Sequence, residues 1–276
     1  PNIQQAMSVF VAEELSEVLN TKVVIGRINM GLLNRIIIDD VLLDDQSGQE
    51  MLKVTRLSAK FDIMPFFKGK ISISSVQLFG FNINLRKETP DSPPNFKFVL
   101  DAFASKDTVK KENSLDLRIN SILIRRGRMS YHVLSEEETP GKFNAKHIQL
   151  QNIIANISLK ALSKDSLNLG IKRLSLDEKA SGFSLKKMSL KLVANNKQTN
   201  IDNFTIELPE TSLKLDTIHL EYDSLKAFDR FTEQVHFSFR TLPSQVTLKD
   251  ISPFVPILSH FKEPVTLDME VKGTVD

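Results

Sequence analysis

A half-buried β-strand needs an apolar residue at every second position, because successive side chains point to opposite faces of the sheet. This chain keeps that alternation for two steps, skips one residue and resumes it, in one segment after another. The template is apolar at n, n+2, n+5 and n+7, with a mostly polar pair between the halves. Val23, Ile25, Ile28 and Met30 fit it around Gly26-Arg27, and Ile36, Ile38, Val41 and Leu43 fit it around Asp39-Asp40. Leu52, Val54, Leu57 and Ala59 repeat it around Thr55-Arg56, and Ile71, Ile73, Val76 and Leu78 around Ser74-Ser75. It returns at Leu117, Ile119, Ile122 and Ile124, at Phe143, Ala145, Ile148 and Leu150, and at Leu169, Ile171, Leu174 and Leu176. Phe183 to Leu190, Thr199 to Ile206 and Leu213 to Leu220 complete the series, with Thr199 standing in an apolar slot.

A pattern that recurs this often is structural. A two-residue hairpin turn would favour Asn-Gly or Asp-Gly at the polar pair, whereas the pairs here include Thr-Arg, Lys-Arg and Lys-Lys. A β-bulge fits better: it inserts one residue, bends the strand, and keeps the apolar side chains on one face. A shift between two sheet layers is the other reading. Starts at 23, 36, 52 and 71, and again at 169, 183, 199 and 213, leave room for a strand of about ten residues and a short connection, the spacing of an antiparallel meander. About eleven strands at ~4.8 Å spacing make a sheet on the order of 50 Å wide. The few helices on offer, each covering a strip about 10 to 12 Å across, cannot hide its apolar face. The expected fold is therefore mainly β: a long, antiparallel, bulged sheet curled on itself. Periodicity leaves open whether the interior is a solid core or a channel, although a chain with no Trp and two Tyr has little with which to fill a wide lumen.

Residues 1–20 read as one amphipathic helix, with Ile3, Ala6, Met7, Phe10, Val11, Leu15, Val18 and Leu19 on its apolar face and Asn20 as its stop. Glu13, Glu14 and Glu17 on the polar face suit packing on the protein's own core better than an interfacial membrane helix. Residues 21–276 then form one repetitive β domain, interrupted by a Pro-rich turn, a short helix over Asn95 to Phe103, and an exposed loop from Ser135 to Lys142. Short helices are also expected over Leu225 to Gln234 and Pro253 to Phe261, and strict alternation over Val265 to Val271. The last residues look cut rather than finished, so the chain reads as a fragment of a longer protein.

The side chains supply little chemistry. Thirty-six basic and 34 acidic residues are interspersed, which argues against nucleic acid as a partner. There is no cysteine, and no continuous apolar run of the length a spanning helix needs. His132, His147, His219, His236 and His260 show no metal-ligand spacing. The acidic run from Asp39 to Glu50 lacks the spacing of a calcium loop, and Asp45 to Gly48 reads as a hairpin turn. No phosphate loop or nucleophile elbow is present. The expectation is a protein that is not an enzyme and needs neither cofactor nor metal.

The segment from about Asn20 to Arg86 carries LNTKVVIGRI, NRIIIDDVLLDD, MPFFKGKI (Met64 to Ile71) and VQLFGFNINL. In these motifs it resembles the N-terminal region of the AsmA-like superfamily, most closely its TamB-like members. The resemblance implies a periplasmic folded-sheet groove, or β-taco, anchored to the inner membrane of a Gram-negative bacterium by a helix preceding Pro1. It implies passive phospholipid movement between inner and outer membranes. It also implies, as an alternative role, a scaffold for outer-membrane protein assembly or secretion, working with an Omp85-class barrel through a segment C-terminal to this chain. A plain structural sandwich is the third reading. In the lipid reading, acyl chains lie on the apolar face at about 0.8 kcal/mol per buried methylene. The lipid-binding stripe is then Ile71, Ile73, Val76, Leu78, Ile83 and Leu85, with Leu117, Ile119, Ile122 and Ile124, and with Leu169, Ile171, Leu174 and Leu176.

Overall fold

A computed structural model describes residues 2–32, 34–61, 73–104, 121–163 and 166–273. The chain is mainly β, and the described residues form fourteen strands in one sheet that does not close into a barrel. The strand path runs in chain order from β1 (Val23–Gly31) to β11 (His236–Thr241) and ends on β14 (Glu270–Gly273); β12 (Ser244–Thr247) pairs with β10 and β13 (Pro264–Leu267). Helix α1 spans Asn2–Leu19, and Asn20, at φ 48°, ends it in the left-handed region. The expected short helix is α2, Lys97–Ala104. A 3-10 turn over Leu225–Arg230 leads into α3, Phe231–Gln234, and further 3-10 turns cover Leu248–Ile251 and Pro256–His260. Among the described residues, no helix is long and apolar enough to cross a membrane. Tertiary contacts divide the chain into two compact units, Pro1–Ile154 with Glu178–Ser181, and Ala155–Asp177 with Gly182–Asp276.

The sheet is mixed, which corrects the expected antiparallel meander. Strand β4 (Ile73–Lys87) pairs in parallel with β5 (Ser121–Val133), in register from Ser75 opposite Ser121 to Lys87 opposite Val133. Parallel neighbours need a crossover of a dozen or more residues, and the segment containing the Pro-rich turn and α2 is that crossover. The expected strand over Val265 to Val271 is also two strands, with β13 on β12 and β14 on β11.

The skipped residues lie side by side. In the first unit, Gly26 falls opposite Asp40 between the Ile25/Val41 and Arg27/Asp39 pairs. Asp40 falls opposite Thr55 on β3 (Glu50–Phe61), and Thr55 opposite Gly80 on β4. Arg126 of β5 follows beside Gly80. Asp40, Gly80 and Arg126 take positive φ, of 56°, 64° and 56°. In the second unit the alignment is looser, and one strand bulges separately at Lys186-Lys187. Lys172 and Arg173 of β7 (Ser166–Glu178) bulge against β8 (Ser184–Asn195), and Asn203 of β9 (Gln198–Glu207), at φ 52°, lies opposite Asp216 of β10 (Ser212–Glu221). Because a bulge bends its strand, aligned bulges bend neighbouring strands at one line.

Three strands also bend where the expected polar pair does not mark it, and the pair Asn120-Ser121 expected to do so in β5 begins outside the described residues. In β4, β5 and β6 (His147–Ser163) the positive-φ residues are Gly80, Arg126 and Asn152, each beyond the polar pair marked by the sequence pattern. Apolar residues in these segments recur so that the template overlaps itself: Val76 and Leu78 end one match and begin the next, which continues at Phe81 and Ile83. Ser74 is nevertheless a second irregularity, lying between the Lys60/Ser75 and Phe61/Ile73 pairs. Lys146-His147 is no bulge: His147 opens β6, and its N–H bonds the Asn144 carbonyl at 3.0 Å as the connection from β5 closes.

Candidate functional site

The skips keep one face apolar across each unit. In the first, Val23, Leu43, Leu52, Ile83 and Met129 occupy one register row, and Ile28, Ile38, Leu57, Leu78 and Ile124 another. Met30, Ile36, Ala59, Val76 and Ile122 form a third. The structure thus brings the expected residues Val76 and Ile122 side by side, as it does Leu78 and Ile124. Leu85 is opposite Tyr131. In the second unit Leu169 pairs with Leu192, Ile171 with Leu190, Leu174 with Met188, and Leu176 with Leu185. The rows continue through Ile201, Phe204 and Ile206 to Leu213, Leu215 and Ile218. Ile73 begins β4 opposite Phe61; Ile71, Leu117 and Ile119 lie outside the described residues.

These rows differ in how they are covered. Val23, Ile25, Ile28, Leu43 and Met51 are buried with Leu19, and Val11 and Ala12 of α1 and Phe98, Val99 and Ala102 of α2 pack against them. Only part of the expected face of α1 is used: Phe10 is 60% exposed and Val18 46%, because Val11, Ala12 and Leu19 make the contact instead. Away from that cluster, Val76, Leu78, Ile83, Leu85, Ile122 and Ile124 are all half-buried, as are Leu169, Ile171, Leu174 and Leu176. They stand beside their row neighbours but are not enclosed. Sequence reasoning missed Phe81, which is buried at 8% and whose ring lies where a side chain on Gly127 would stand.

The polar groups serve the turns. Asp45 is 2% exposed, and its Oδ1 accepts hydrogen bonds from Ser47 N, Ser47 Oγ and Gln49 N, at 2.9, 2.6 and 3.1 Å. Its Oδ2 meets Arg86 at 2.7 Å and Asn95 Nδ2 at 3.1 Å. Burial alone would push the carboxyl group's pKa up, but the bonds from Ser47, Asn95 and Gln49 together hold it below the ordinary 3.8. Glu178 repeats the device at the turn after β7. It is 3% exposed and accepts from Gln149 N at 2.9 Å and Ser181 N at 2.6 Å. Burial again opposes its ionisation and hydrogen bonds to Ser181, Gln149 and Ala180 outweigh it, so its carboxyl group lies below 4.5. The charged groups lining a cleft of about 650 Å³ beside Asp45 include two pairs, Arg86 with Asp45 and Lys97 with Asp101.

Two of the five histidines are not scattered. His132, near the end of β5, and His147, at the start of β6, have their Nδ1 atoms 3.0 Å apart. The intervening residues place them together, a proximity that their spacing in the sequence does not reveal. Compared with known proteins, the chain matches no family model and no curated protein.

Proposed function

We propose that the apolar rows bind phospholipid acyl chains and that the chain is a passive lipid conduit of the AsmA-like kind, acting in the periplasm from an inner-membrane anchor. The observation that carries this reading is the half-burial of Val76, Leu78, Ile83, Leu85, Ile122 and Ile124 in the first unit, and of Leu169 to Leu176 in the second. In a filled sandwich such residues would be enclosed. Here they form register rows of Leu, Ile and Val that remain accessible beside a well-covered cluster. Acyl chains need apolar area rather than fixed geometry, and rows of aliphatic side chains supply it. Headgroups would stay in water. The proposed activity is binding and movement of lipid, with no bond made or broken.

The test compares two aspartate substitutions. Leu78→Asp with Ile124→Asp falls on half-buried row neighbours, and Val54→Asp falls on a residue 4% exposed. A conduit predicts phospholipid co-purifying with the wild-type chain in native mass spectrometry, and its loss in the first variant with a fall in the urea midpoint clearly smaller than that of Val54→Asp. It also predicts that Val54→Asp destabilises strongly, because it buries a charge. Absence of bound phospholipid, together with equally severe unfolding in both variants, would identify a filled structural core and refute the proposal.

A further inference from the structure

We propose that His132, Glu138 and His147 form a binding site for a divalent transition-metal ion, with Zn²⁺ the best match. One ligand atom from each of the three residues lies within 4.8 Å of the others, and all three belong to the first unit. His147 Nε2 is 2.9 Å from the backbone carbonyl oxygen of Glu136. A carbonyl only accepts, so Nε2 carries the proton, and in neutral His147 the lone pair is on Nδ1. That lone pair faces His132 Nδ1 at 3.0 Å. A backbone acceptor fixing the far nitrogen of an imidazole is the usual outer support of a histidine metal ligand.

The distances suit the ion. Two imidazole nitrogens at about 2.0 to 2.1 Å from a tetrahedral Zn²⁺ stand about 3.3 Å apart, so the observed pair needs to open by only about 0.3 Å. The surroundings also select the third ligand. Glu136 is engaged by Lys146 at 2.6 Å, which leaves Glu138 as the carboxylate that meets the rings. His147 is buried, His132 half-buried and Glu138 exposed, so the site opens to solvent on one side. Two imidazoles and a carboxylate with an open fourth position accept Zn²⁺, Co²⁺ or Ni²⁺ and are too nitrogen-rich for Ca²⁺ or Mg²⁺.

Titration of the untagged 276-residue chain with ZnCl₂ by calorimetry tests the site, with Co²⁺ absorption as the second readout. One equivalent of Zn²⁺ is expected to bind, with visible Co²⁺ bands of four- or five-fold coordination. Glu138→Gln, an exposed change that leaves the fold intact by circular dichroism, is expected to weaken binding about tenfold or more, in line with the sensitivity of histidine-carboxylate sites. Adding His132→Ala is expected to abolish it. Nitrogen NMR should show the metal on His147 Nδ1 while Nε2 keeps its proton. Absence of saturable binding, or unchanged binding in the double variant, would overturn the site and leave a histidine pair joined by an ordinary hydrogen bond.

Discussion

Asp45 and Glu178 are buried carboxylates whose work is to organise backbone N–H groups at a turn. Each is held below its ordinary value, 3.8 and 4.5 respectively, so ionisation favours the folded state. Their contribution is whole above the unfolded values and is lost as the pH falls through the lowered folded ones. The urea midpoint should therefore be insensitive to these two groups from pH 7 to about pH 5 and fall below about pH 4. Asp45→Asn with Glu178→Gln should lower the midpoint at pH 7 and flatten the acid limb. An acid limb of unchanged slope in that variant would show that other carboxylates govern it. The role of Asp45 as a turn former was legible from Asp45 to Gly48, because an Asx turn is a local matter. Its pairing with Arg86 was not, since 41 residues of chain separation carry no periodic signal.

Within the elements, the bulged residues approach one another closely enough to dictate residue type. A Cβ on Gly26 would stand 2.9 Å from that of Asp40, and one on Gly80 would stand 2.6 Å from Thr55 Oγ1. Gly80 also needs φ 64°, which costs a side chain roughly 1 to 2 kcal/mol. Gly80→Ala should lose at least about that much stability, while Asn203→Gly, at φ 52° on an exposed residue, should lose none and Asn203→Val should lose about 1 to 2 kcal/mol. Denaturant titration of the three variants measures these differences. The bulges were readable because hydrophobic period is a local property, and the positions in β1, β2, β3, β7, β8, β9 and β10, with Ser74 in β4, were read correctly. The bends at Gly80, Arg126 and Asn152 were not, because the template overlaps itself in those strands. The parallel direction of the β4–β5 pair escaped: the side-chain period is the same in parallel and antiparallel strands, so only the crossover through α2 distinguishes that pair. The contact face of α1 was misread in part because apolar residues surround it, with Val9, Phe10, Leu15 and Val18 left exposed.

At the scale of the whole molecule, each unit carries aliphatic rows that are incompletely covered. If phospholipid occupies them, it binds the folded chain and not the unfolded one, and mass action must then raise the unfolding midpoint. Saturation at a hundred times the dissociation constant corresponds to about 2.7 kcal/mol. Chain stripped of lipid in detergent and returned to buffer should therefore melt lower than chain supplied with phospholipid, by calorimetry, and the difference should shrink in Leu78→Asp with Ile124→Asp. The alignment of bulges from Gly26 through Asp40, Thr55 and Gly80 to Arg126 has a consequence for how such a sheet can change over generations. Deleting Asp40 alone would restore strict alternation to its own strand, with Ile36, Ile38, Val41 and Leu43 still on one face. It would also leave Gly26 and Thr55, each still carrying its extra residue, against a strand one residue too short. A deletion that is harmless to the strand is penalised by both neighbours, so the bend is inherited by the row and can be lost only by many strands together.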